Sequence, residues 1–93
     1  MKGGGMTYRQ VGDQIAYIPL HAEGDIDHPD VEFGFITGFN SKGDPFCRYW
    51  KKGEIGTLRT TANSECTPKD MVVNKWVVPQ SKVDDFLKRN GYT

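Results

Sequence analysis

Two cysteines in 93 residues are too few for the bridged frameworks that hold many small secreted domains together. Cys47 and Cys66 could form one disulfide, but neither sits in a C-x-x-C pair. They are expected as reduced thiols, with no redox motif and no structural zinc site. Long apolar runs are missing as well, so no membrane span is expected. The first six residues, with three glycines in a row, lack the apolar stretch of a signal peptide. Nor does either sign of charge dominate. Twelve Lys and Arg balance twelve Asp and Glu, which removes the global basic field of a typical nucleic-acid binder.

The sequence also lacks the signatures of common catalytic sites. It has no phosphate-binding G-x-x-x-x-G-K-[ST] loop, no dinucleotide fingerprint and no nucleophile elbow. Both histidines fall in one segment, and Asp84 with Asp85 reads as helix-terminal charge. A domain this small buries only roughly 60–65% of its unfolded surface and is not expected to enclose a pocket of several hundred Å³. No enzyme activity, catalytic residue or cofactor is expected.

What is present is turn chemistry and short strands. Eleven glycines and five prolines imply many reversals and little helix. Residues 14–20 read as a first strand, with Ile15 and Tyr17 on one face, and Pro19 ends it or marks an edge. Residues 21–32 form a long polar loop with five carboxylates and no Lys or Arg. Residues 33–39 read as a second strand, bent or bulged at Gly34 and Gly38. A tight turn over residues 40–45 leads to a third strand over residues 46–50. A fourth strand is expected over residues 56–61, a helical turn over 67–70 and a fifth strand over 71–73. The period then changes. Val83, Phe86 and Leu87 mark one stripe of a helix over residues 82–90, with Ser81 as its capping residue.

These parts imply a mostly β fold, a five-stranded SH3-like barrel of the tudor or KOW kind with a short C-terminal α-helix. Residues 1–11 read as a flexible lead-in, 12–75 as the barrel and 76–93 as a helical extension packed on it. The run Gly12-Asp13-Gln14-Ile15-Ala16-Tyr17-Ile18-Pro19-Leu20-His21-Ala22, followed by Gly24-Asp25-Ile26-Asp27-His28-Pro29-Asp30, resembles the small SH3-like proteins encoded by phages and prophages. In those, a G-D-x-x-x-Y-I-P-x-H-A strand precedes a G-D-I-x-H-P-D loop, and a D-x-V element closes the barrel, a part that Asp70-Met71-Val72 would fill. The resemblance covers about residues 12–73 and implies a mobile-element origin, with a location in the cytoplasm of an infected or lysogenic bacterial host. It brings no catalytic residue, because the family has no agreed activity.

Two segments are candidates for function. In the acidic loop, Asp25, Asp27 and Asp30 could present negative charge to a basic partner. His21, Asp25 and His28 have the chemistry of metal ligands, but their spacing fits neither H-E-x-x-H nor a calcium loop, so no metal site is expected. In the third strand, alternation puts Cys47 and Tyr49 on one face and Phe46, Arg48 and Trp50 on the other; if Cys47 and Tyr49 point inward, the second face is at least partly exposed. That face is either a free interface patch or a second small core beneath the helix. Charge is also unevenly placed: residues 1–32 carry six acidic against two basic side chains, and residues 33–93 six against ten. Such asymmetry suits oriented docking on a protein. The expected function is a non-enzymatic protein-binding module that occupies a surface on a host machine, such as a defence complex, or on a virion component. Its candidate contacts are Asp25, Asp27, Asp30, Phe46, Arg48 and Trp50. The alternative is a nucleic-acid-associated barrel using Lys42, Arg48, Trp50, Lys51, Lys52 and Arg59.

Overall fold

A computed structural model describes residues 9–73 and 75–92. Five antiparallel strands form one sheet in the order β4-β3-β2-β1-β5: β1 (Gln14–Tyr17), β2 (Glu32–Phe39), β3 (Pro45–Tyr49), β4 (Ser64–Glu65) and β5 (Met71–Val73). One helix, α1 (Gln80–Arg89), follows. The expected lead-in over residues 1–11 lies mostly outside the described residues. Its last part is tied down: Arg9 donates to the Pro68 carbonyl at 3.2 Å, and Gln10 and Asp13 close a turn.

The sheet is open rather than closed into a barrel. β4 and β5 are its two edges, and no ladder joins them among the described residues. A two-residue β4 offers too little backbone for closure. The fourth strand also lies later than residues 56–61. Ile55–Thr57 is a 3-10 turn, and Leu58 adopts a left-handed φ of 57°. Thr57 donates to the Glu54 carbonyl at 2.8 Å, and Arg59 pairs with Glu54 at 2.8 Å. These local bonds win over the extended preference of the threonines. Extended pairing resumes only at Thr60, which bridges Trp50.

The first strand stops at Tyr17, ahead of Pro19, and Leu20 opens a 3-10 turn, Leu20–Ala22, with its side chain 84% exposed. In β2 the register against β3 shifts between Ile36 and Gly38, the bulge that bends the strand. Gly34 is required for a different reason. A Cβ there would lie 2.2 Å from the Arg48 carbonyl oxygen, so only hydrogen fits.

Two apolar clusters lie in the fold. One joins Ile15, Ile36, Cys47, Tyr49, Cys66 and Met71, with Tyr17 packed against it, so of the two faces of β3 it is the one with Cys47 and Tyr49 that points into this cluster. The other joins Phe35 and Trp50 to Val78, Val83 and Leu87, with Phe86 and Tyr92 at its margin. An amphipathic helix of ten residues is unstable alone and needs this burial. α1 begins at Gln80, with Pro79 in the capping position and no side-chain cap, so Ser81 is not its cap. Gln80 instead donates to the Gly12 carbonyl at 2.6 Å and to Asp84 at 3.1 Å. Asp84 and Asp85 therefore lie beyond the first turn, while Lys88 and Arg89 occupy the last, as the helix dipole favours.

Candidate functional site

The acidic loop is held by its own turns. Backbone bonds run from Ala22 to Pro19, Asp25 to Ala22, His28 to Asp25 and Val31 to His28, each at 2.9–3.1 Å. Asp25 accepts the Asp27 amide at 2.9 Å, and His28 Nδ1 accepts the Asp30 amide at 3.0 Å. Asp residues stabilise turns in this way. The folded loop brings His21 and Asp30 together: His21 Nε2 lies 2.6 Å from Asp30 Oδ2. The hydrogen bond from His21 holds the Asp30 carboxyl below its ordinary pKa.

Between this loop and the segment that follows β3 runs an open cleft of about 560 Å³. Tyr17, Phe33, Trp50 and Ile55 give it an apolar lining, extended by Pro19 and Pro29. One side carries His21, Asp30 and Glu32, and the other Lys51 and Lys52. A cavity of this size was not expected from the chain's length. Residues of the long loop and of the segment leading into the 3-10 turn Ile55–Thr57 line it together with the sheet residues Tyr17 and Phe33.

Trp50 has two roles. It is 5% exposed and packs on Phe35 with ring centroids 5.2 Å apart, yet it also lines the cleft. Its indole N–H has no acceptor among the described residues, and a buried donor left in that state is costly.

The free patch of Phe46, Arg48 and Trp50 is not present. Trp50 is buried in one cluster with Val83 and Leu87 of α1. Arg48 is half-buried, donating to Thr60 at 2.9 Å and to the Tyr92 hydroxyl at 3.2 Å, and Phe46 is half-buried opposite Glu65. The helix stripe had to bury against something, and this face was what remained. Of the other expected contacts, Asp25, Asp27 and Asp30 are exposed, but only Asp30 lines the cleft.

The six candidates for nucleic-acid contact do not share one open face. Trp50 and Arg48 are engaged as described, and Arg59 is paired with Glu54. Lys42 sits in the β2–β3 turn, whereas Lys51 and Lys52 follow the opposite end of β3. Five strand residues separate those ends by about 16 Å.

The loop does not group His21, Asp25 and His28, the three residues weighed as ligands from the sequence. Each of His21, His28 and Asp30 offers a ligand atom within 4.8 Å of the others. Asp25 is outside this group and serves the Asp27 amide. Sequence spacing missed Asp30 because the turn through Glu23 and Gly24, both at positive φ, folds the loop back on itself.

Cys47 and Cys66 are free thiols, both buried, and the Tyr49 hydroxyl is hydrogen-bonded to Cys66 Sγ. The hydrogen bond with Cys47 is the main cause that brings Cys66 down to about 7, aided by Tyr49 and opposed by burial. Cys47 is pushed up, chiefly by that same bond and then by burial, and Tyr49 is pushed up by burial first. No described helix is long and apolar enough to cross a membrane. Compared with known proteins, the chain matches no family model, no curated protein and no solved structure.

Proposed function

We propose that the chain is a small non-enzymatic protein-binding module of the SH3-like kind carried by phages and mobile elements. It acts by occupying a surface on a host machine or a virion component, with the cleft between the acidic loop and residues 50–55 as its docking site. The strand order, with β5 returning beside β1 after the 3-10 turn Pro68–Asp70, supports the SH3-like reading without full closure.

The observation that carries the proposal is the cleft's make-up. An aromatic and proline lining between sides of opposite charge suits an extended polypeptide segment, whose apolar side chains fill the centre and whose charges meet the margins.

Lys51→Glu with Lys52→Glu tests the site while leaving the core unaltered. Partner affinity should fall about tenfold from the reversed charge in the cleft, with the thermal transition nearly retained. Unchanged affinity in this variant would place the docking surface elsewhere.

A further inference from the structure

From the arrangement of His21, His28 and Asp30 we propose that these residues form a binding site for a divalent transition-metal ion of zinc type on the margin of the cleft. The ligand set has the chemistry for it. Two imidazoles and one carboxylate favour zinc and its neighbours over calcium or magnesium, and three protein ligands leave a position open.

The ligand atoms are already near one another. One ligand atom from each residue already lies within 4.8 Å of the others, and the donors of a tetrahedral zinc centre stand about 3.3 Å apart. His21 Nε2 and Asp30 Oδ2, now 2.6 Å apart, would part by about 0.7 Å as the ion replaces the proton between them. His28 is in a suitable tautomer. Its Nδ1 accepts the Asp30 amide, so in the neutral ring that nitrogen keeps its lone pair and the proton resides on Nε2. Binding through Nδ1 exchanges that amide for the ion. Asp30 is exposed, so water can take over its N–H.

The surroundings add to the attraction. The loop carries Glu23, Asp25, Asp27 and Glu32 besides Asp30, with no cationic side chain between residues 21 and 32, a field that raises the local concentration of cations and that Lys52, whose charge acts on Asp30, partly offsets. His21 and Asp30 both line the cleft, so the open position is reachable from it. The inference does not depend on whether the cleft binds a protein.

The test is calorimetric titration of the full, tag-free chain with zinc chloride, beside His28→Ala, Asp30→Asn and the control Asp25→Asn. One ion per chain is expected. Affinity should fall about tenfold or more in the first two variants and stay within about twofold in the control. All four proteins must give the same circular dichroism spectrum. Two readouts on the unaltered chain are independent of the variants: zinc should shift the ring-proton resonances of both histidines, and a cobalt(II) complex should lack the thiolate charge-transfer band that Cys47 or Cys66 would give. Absence of binding, a thiolate band, unshifted histidine resonances, or equal affinity in His28→Ala would overturn the proposal.

Discussion

The side-chain amide of Gln14 pairs with the main chain of Val78 as a neighbouring strand would. Its Nε2 donates to the Val78 carbonyl at 2.7 Å, and its Oε1 accepts the Val78 amide at 3.1 Å and the Val77 amide at 2.9 Å. Gln14 is 1% exposed. One polar residue in β1 thus fixes where the chain passes before α1, and so where the helix lands on Trp50. Gln14→Leu would leave three backbone groups unsatisfied at about 1–3 kcal/mol each at most. A loss of about 3 kcal/mol is expected, read as a fall in Tm of more than about 10 °C. A change within about 2 °C would mean that water replaces the amide without cost.

Leu87 and Phe86 share the helix stripe but not its burial. Leu87 is buried in the second cluster, while Phe86 is half-buried and meets Phe35 edge-on at 5.6 Å. Leu87→Ala should cost about 2–4 kcal/mol and Phe86→Ala about 1–2 kcal/mol in urea denaturation. The reverse order would mean that α1 is rotated about its axis.

Gly34→Ala should be worse than either. Its Cβ would meet the Arg48 carbonyl at 2.2 Å and the Tyr49 ring at 2.9 Å, so β2 and β3 must separate where they pair. The expected outcome is a chain without a cooperative thermal transition. A transition within about 5 °C of the original would show that the strands can part there at little cost.

The thiol cluster gives a pH signature. Cys66 ionises at about 7 when folded and at about 8.5 when unfolded. Between those values the unfolded state holds the extra proton, so stability rises with pH, and this contribution is lost below about pH 7. Cys47 and Tyr49 have raised values, so above about pH 8.5 the unfolded state ionises first and stability falls. Urea midpoints in reductant should therefore peak near about pH 8.5. Cys66→Ser should abolish the rise, and an unaltered rise in that variant would assign it to another group.

Much of this arrangement is legible in the residues. Alternation along β3 places Cys47 and Tyr49 on one face, and the spacing of Val83, Phe86 and Leu87 gives the helix and its buried stripe. What escapes is whatever depends on tertiary bonds. Gln14 reads as a polar strand residue, and nothing local says that its amide will serve Val78. The threonines after Gly56 read as a strand until Glu54 is seen to hold a turn. The cleft escapes for the same reason. Its two sides lie some twenty to thirty residues apart in sequence, and neither signals the other.

The most direct measurement of the docking claim is capture from lysate of the organism that carries the gene, after nuclease treatment. It compares the unaltered chain with a cleft variant, Asp30→Lys with Lys52→Glu, and with Lys82→Glu on the exposed side of α1. The account predicts one protein partner, retained after nuclease, lost with the cleft variant and kept with Lys82→Glu. Equal capture by the cleft variant, or a partner released by nuclease, would contradict it.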